Sequence, residues 1–467
     1  MAVQDRMRRF FAPQDASTVE GRGAQRNRRA AITGITSTLA RVVQIGTSLV
    51  TVPLTLRYLG NERFGLWMTI SAVLAMASFA DFGIGNGVLN TVSKAFGRDD
   101  NEGVRRAVSS GFAVLTTIAA LLAALFFAIY PLVNWAEFFR VVSPVARAEA
   151  APAIAVFAIC FALNISLDVV QRAQLGLQQG YRYGLWQLCG SVLGLGGVLL
   201  GIRLHVSLPV LIAAIAGAPV LATALNALHF FGVARPDLRP SRALISRGVI
   251  QGIAKLGGLF FVLQLVTAIS FSADNFIVAR VLGAVNVPEY SIPQRMFSMI
   301  AMISSMLVAP LWPAYGEAIS RGDMPWVRRT LRGSLLTVLA VTTVASAALL
   351  LASRTLLHWW VGTRIHPPFA LLLGLAVWTV IGCCGDAIGN FLNAANFIRF
   401  QVAVASAFGI GCVLAKLFAI HRFGLQAIPW ATSAAYLLLG AVPFAIWVPV
   451  FLRRMLASNA TREALAG

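Results

Sequence analysis

The chain reads as an all-α polytopic membrane protein. It has about twelve transmembrane helices in two pseudo-symmetric six-helix lobes, related by a parallel internal repeat. Three observations predict this. The 467 residues are 58% hydrophobic and only 12% charged, with a mean hydropathy of +0.76, whereas soluble globular chains carry roughly 25% charged residues. Apolar stretches of about 18 residues or more, enough to cross the hydrocarbon core, follow one another along the chain. Finally, Arg57-x-Leu59-Gly60 recurs 223 residues later as Arg280-x-Leu282-Gly283. The same offset carries Ala95, Arg98 and Asp100 onto Ala318, Arg321 and Asp323, and Val104-Arg105-Arg106 onto Val327-Arg328-Arg329. Ungapped matches at one spacing indicate an internal duplication.

Taken in order, residues 1–30 form a basic cytoplasmic tail and 31–234 a first lobe of six spans. These fall at about 31–59, 64–92, 104–130, 151–178, 181–203 and 206–234. An inter-lobe linker follows at 235–247, then a second lobe at 248–453 and a C-terminal tail at 454–467. The second six spans fall at about 248–283, 287–315, 328–361, 366–397, 398–421 and 425–452. No connection is long enough to hold a folded aqueous domain; the longest are 131–150 and 235–247.

Basic residues set the orientation. Segment 1–30 has seven arginines. The connections after spans two, six and eight carry Lys94, Arg98, Arg105 and Arg106, then Arg235, Arg239, Arg242 and Arg247, then Arg321, Arg328, Arg329 and Arg332. Arg453, Arg454 and Arg462 lie on the same face. Odd-numbered connections are poorer, so the positive-inside rule places both termini in the cytoplasm. The net charge of +20 is thus a topology signal plus attraction to anionic headgroups, not a nucleic-acid footprint. Residues 1–30 lack the apolar core of a cleaved signal peptide; Arg6, Arg8 and Arg9 beside Phe10 and Phe11 read as an interfacial segment or a plain basic tail. The five cysteines lie inside apolar stretches and share no ligand spacing with the five histidines, so no metal site and no disulfide framework is expected.

Charges at membrane depth point to function, because each costs about 2.5–3.5 kcal/mol on insertion scales and is therefore normally shielded or placed in a wet cavity. Asp168 and Arg172 stand at i and i+4, either as a self-neutralising pair or as part of a cavity. Arg41, Lys255, Arg295 and Lys416 have no acidic residue three or four positions away. Together with Arg172 they are the candidate anion-binding cations, and Arg41 leads because it lies too deep to snorkel. Asp81, Asp168, Asp274 and Asp386 are the candidate proton or sodium sites; no other cofactor is expected. Arg57 and Arg280, at repeat-equivalent outer helix ends, read as an outer gate or an interfacial anchor. Prolines at 53, 209, 219, 288, 293, 310 and 313 are placed to kink spans one, six and eight. Gly190, Gly194, Gly197 and Gly201 suggest tight helix packing in span five.

Several segments resemble bacterial polysaccharide flippases of the Wzx type. They are Arg57-Tyr-Leu-Gly-Asn-Glu-Arg-Phe-Gly-Leu-Trp67, Asp81-Phe-Gly-Ile-Gly85, Gln174-Leu-Gly-Leu-Gln178, Asp274-Asn-Phe-Ile-Val-Ala-Arg-Val-Leu-Gly283, Ala309-Pro-Leu-Trp-Pro313, Asn390-Phe-Leu-Asn-Ala-Ala-Asn396 and Phe423-Gly-Leu-Gln-Ala427. Their order covers nearly the whole chain after residue 30. Those flippases belong to the multidrug/oligosaccharidyl-lipid/polysaccharide exporter (MOP) superfamily. The resemblance implies a MATE-like, V-shaped pair of lobes around a central cavity. It also implies a multi-pass protein of the bacterial inner membrane that is a carrier, not an enzyme. Its substrate would be a polyprenyl-pyrophosphate-linked oligosaccharide, flipped from the inner to the outer leaflet. Partners would be membrane lipids and polysaccharide polymerase or export machinery; nucleic acid is not among them. A multidrug exporter of the same superfamily, a membrane glycan polymerase or ligase, and a major-facilitator carrier are the alternatives. The first would favour carboxylates in its cavity and the second a sizeable outer loop.

Overall fold

The computed structural model describes residues 18–76, 79–283, 286–361, 367–447 and 450. The basic segment at residues 6–11 and the tail from 451 onward lie outside them. Among the described residues there is helix and no strand, and the chain divides into two compact units, Met1–Gly258 and Leu259–Gly467.

Unit 1 opens with α1 (Val19–Met76), then α2 (Ile84–Gly97), α3 (Asn101–Ile129), the single turn α4 (Trp135–Phe138), α5 (Pro144–Gly176), α6 (Gly180–Arg203) and α7 (Leu208–His229). The long α8 (Arg247–Val281) crosses the unit boundary. Unit 2 continues with α9 (Val287–Val308), α10 (Leu311–Ser320), α11 (Met324–Val361), α12 (Phe369–Ala394), α13 (Ile398–Phe423) and α14 (Ala427–Tyr436).

Eleven helices among the described residues are long and apolar enough to cross a membrane, against the twelve spans expected. The shortfall is the second span. Its residues 64–92 are shared between the last turns of α1 and the separate α2, because the Asp81–Gly83 stretch breaks the helix with left-handed residues at Phe82 (φ 50°) and Gly83 (φ 70°). Asp81 repairs the break by accepting from the N–H groups of Gly83 (2.9 Å) and Gly85 (3.2 Å), so α2 starts with its first donors satisfied. The eighth span is likewise divided: Pro310 separates α9 from α10.

The duplication survives as backbone geometry. Gly60 (φ 73°) and Gly283 (φ 92°), the glycines of the repeated Arg-x-Leu-Gly, both occupy the left-handed region, which a side chain disfavours. Asp100 caps α3 by accepting from Gly103 N–H, and Asp323 accepts from Trp326 N–H one offset later. The preceding residues, Asp99 (φ 56°) and Gly322 (φ 77°), make the same left-handed turn. The α5–α6 and α12–α13 corners turn on another such pair, Gln178 (φ 58°) and Asn396 (φ 63°).

Each unit has its own core. In unit 1, Val88, Val92, Val104, Val108, Val169 and Ala173 pack together with Ile253 from the first turns of α8. Leu238 of the connecting segment joins the same core. That segment is further tied down by backbone N–H groups of Ser241 and Ser246 donating to the hydroxyls of Ser109 and Ser110 on α3 (both 3.2 Å). The α6 glycines pack as expected, with Gly190 against Pro219 and Ala222, and Gly197 against Ala214, all on α7.

Candidate functional site

The charges at membrane depth separate into those the fold neutralises and those it leaves accessible. In unit 1, Arg172 donates from Nε to Asp168 Oδ2 (2.7 Å) and from Nη1 to Asn86 Oδ1 (2.7 Å). Both side chains of the ion pair are mostly covered, and the pair sits against the start of α2. A Cβ on Gly85 would fall 2.6 Å from Arg172 Nε and 2.8 Å from Asp168 Oδ2, so only glycine lets the guanidinium lie there. A second polar contact, not expected from the sequence, is the reciprocal amide pair of Gln174 and Asn226 (2.8 and 3.0 Å), both fully buried.

In unit 2 the expectation for Lys416 is corrected. Its Nζ has no accessible surface; it donates to Asp274 Oδ1 (2.5 Å) and to the carbonyl of Ser270 (3.0 Å). Asp274 in turn accepts from the Tyr290 hydroxyl (2.6 Å). Lys416 therefore serves as an internal counter-ion and not as a cavity cation, and Asp274 is neutralised in place. Its partner stands 142 residues away, beyond any helical spacing. Asp168 and Arg172 hold each other, the self-neutralising one of the two readings their i, i+4 spacing allows, and Asp81 caps a helix.

Four candidates stay accessible. Arg41 is exposed and, among the described residues, bonds across one turn to Gln44 Oε1 (2.8 Å). With Ser48 and Pro53 it borders a groove of about 470 Å³ along α1, while α1 packs beside α6, where Thr33 meets Gly180 and Thr36 meets Gly184. Lys255 on α8 and Arg295 on α9 are exposed and make no ion pair among the described residues. Asp386 is exposed on α12 and also makes no ion pair there. It lines two neighbouring cavities in unit 2 of about 350 and 370 Å³, which share Trp378 and Gly382. The first of them carries Ser305, Asn390 and Gln401, and Gln401 Oε1 is buried without a hydrogen-bond partner. The wall is thus rich in oxygen acceptors, the donor set that suits a proton or a hard cation. Arg57 and Arg280 are exposed, each shortly before its left-handed glycine.

Around the α1 end the fold adds a cluster that sequence patterning does not show. Arg63 makes a two-pronged bond to Glu149 (2.6 and 2.8 Å), and Glu149 also accepts from Leu208 N–H (3.1 Å). Tyr58 donates to the Val206 carbonyl (2.7 Å). Glu62 accepts from the N–H groups of Val142 and Ser143. These bonds hold α1, α5 and α7 together at one end of the unit.

The family model described as polysaccharide biosynthesis protein matches residues 33–318, and the chain belongs to that family. Two Salmonella proteins named as putative O-antigen transporters are similar. The one from Salmonella typhimurium is 19% identical over 60% of this chain and 64% of its own length. That from Salmonella typhi is 22% identical over 63% of this chain and 66% of its own length. The chain thus matches slightly less than two thirds of each relative. Among solved structures, a MATE crystallised in a bent conformation superposes with a TM-score of 0.80 at 15% identity, covering 93% of this chain and 97% of its own. A MOP-superfamily transporter from Pyrococcus furiosus gives 0.77 at 14%, covering 92% and 96%. These matches bear out a polysaccharide biosynthesis family and an all-helical, MATE-like fold, with eleven helices among the described residues long and apolar enough to cross a membrane.

Proposed function

We propose that this protein is a carrier that moves polysaccharide repeat units across the membrane while they are attached to a polyprenyl pyrophosphate. The family and the names of its relatives support polysaccharide transport. The observation that carries the finer reading is Arg41, an accessible, acid-free guanidinium within the first apolar span. A guanidinium pairs with phosphate oxygens in a two-pronged geometry and stays charged at any working pH. A sugar head cannot cross hydrocarbon bare, since each hydroxyl would lose its hydrogen bonds, so it needs a polar path while the prenyl tail stays in lipid. Alternating access supplies that path, and a potential negative inside favours outward movement of an anionic head by about 2.3 kcal/mol per charge per 100 mV. Arg295 and Lys255 are the supporting cations, and Asp386 is the proton or sodium site. The inner membrane, with both termini cytoplasmic, is the setting this reading requires.

The test is the leaflet distribution of lipid-linked oligosaccharides in cells depleted of the protein. Build-up in the inner leaflet, reversed by the intact chain, is the expected result; build-up in the outer leaflet would instead indicate a polymerase or ligase. Export of cationic drugs is the second reading, favoured by the acceptor-rich cavity at Asp386. New sensitivity to cationic dyes without oligosaccharide build-up would select it.

A further inference from the structure

The α5–α6 corner of unit 1 is polar where its counterpart in unit 2 is sealed by aromatic rings. With Gln178 and Asn396 as equivalent corner residues, Arg182 of α6 falls on Phe400 of α13. Phe400 packs against Phe397, Phe444 and Trp447, with ring centroids 5.1, 5.9 and 6.0 Å away. Arg182 instead buries Nη1 with no hydrogen-bond partner, and Gln179, three residues earlier, buries Oε1 in the same state. Gln179 is also the N-cap of α6 and its side chain makes no capping bond, so the positive pole of a 24-residue helix stands at this corner. Helical side chains tilt toward the N-terminus, which brings an arginine in the first turn back over that pole.

A buried guanidinium nitrogen without an acceptor is costly, and the start of a helix is a place where anions bind. Gly176, at the end of α5, packs against Val92 and the Leu89 carbonyl of α2.

We propose that this corner binds a phosphate ester with a hydroxyl beside it, Arg182 donating to the phosphate and Gln179 Oε1 accepting from the hydroxyl. The same chemistry is offered by a lipid headgroup and by a free polyol phosphate. This site is separate from Arg41 and does not depend on the flippase reading.

The experiment uses the full chain purified in a maltoside detergent, with dioleoyl phosphatidylglycerol as the lipid probe and glycerol 3-phosphate as the soluble one. Phosphatidylcholine, which has the phosphate but not the hydroxyl, is the control. Binding is read by native mass spectrometry, and amide hydrogen exchange of residues 178–184 is followed in the unaltered protein. Phosphatidylglycerol should be retained over phosphatidylcholine and should protect those amides. Arg182→Gln and Arg182→Phe should weaken it by about ten-fold or more, the loss expected for one charge-assisted hydrogen bond. The phenylalanine variant should fold, since unit 2 already carries that residue there. Displacement by glycerol 3-phosphate would assign the site to a soluble ligand; retention of the lipid in its presence would assign it to the membrane. Undiminished binding in either variant, or no protection of 178–184 by either probe, overturns the proposal and leaves the corner to water.

Discussion

Asp168 and Asp386 hold the same register in the two units: each stands ten residues before the left-handed residue, Gln178 or Asn396, at which its helix turns into the next. Four residues further on, Asp168 meets Arg172, whereas Asp386 meets Asn390. One copy therefore carries its own counter-ion and the other leaves a carboxylate facing a cavity. Asp386→Asn should reduce transport and remove its dependence on pH or sodium, with membrane levels unchanged. Asp168→Asn should instead lower stability by about 1–3 kcal/mol, as expected when a covered guanidinium loses a charged partner. Transport assays across a pH series, beside thermal unfolding of both variants, check the pair. An Asp386→Asn variant that keeps its ion dependence would exclude this carboxylate from coupling.

The buried Lys416–Asp274 pair leads to a non-additive outcome. Removing one partner leaves an uncompensated interior charge, so Lys416→Met and Asp274→Asn should each cost about 3–5 kcal/mol. The double variant should be milder than the two single costs added, because no bare charge remains. A thermal-unfolding cycle in detergent measures this coupling, and strict additivity would contradict the pairing.

What can be read in the sequence follows the range of the interactions. Gly60 and Gly283, or Asp100 and Asp323, answer to local backbone requirements, so their repetition at 223 residues is legible in the order of residues itself. Asp168 and Arg172 are visible as a pair because i and i+4 share a helix face. Lys416 looks unpartnered by spacing because its acid lies on another helix. The correspondence of Asp168 with Asp386 is hidden for a different reason. Connections of unequal length shift the offset from 223 to 218 residues by the α12–α13 corner, and only the shared backbone turn restores the register. Hydropathy draws the second span whole because it averages over the Asp81–Gly83 break, whereas left-handed residues and a capping carboxylate divide it.

Arg41 is the cation whose loss should be felt in export alone. It is exposed and, among the described residues, hydrogen-bonds to Gln44, so Arg41→Ala removes no buried contact and membrane levels should stay near normal. Export of lipid-linked oligosaccharide should fall about ten-fold or more, the order expected when a charged hydrogen bond to phosphate is lost. Arg41→Lys should recover only part, because an ammonium lacks the fork. Full export by Arg41→Ala would remove this residue from the substrate path.

Glu62 supplies a pH response outside the membrane-spanning segments. The Ser143 hydroxyl, then the Val142 and Ser143 N–H groups, stabilise its carboxylate and hold it below its usual value of 4.5. A carboxyl group whose affinity for protons is lower in the folded state contributes stability above the unfolded value. That contribution is lost as pH falls through the folded one. The bonds to Val142 and Ser143 should therefore persist at neutral pH and open only as pH drops below the ordinary glutamate range, freeing the start of α5. Hydrogen exchange at Val142 and Ser143, followed from neutral to acid pH after correction for the intrinsic rate, reports the opening. Glu62→Gln, which cannot become a carboxylate, should show weaker protection at neutral pH and no acid transition at these two amides. A transition that survives the substitution would belong to another group.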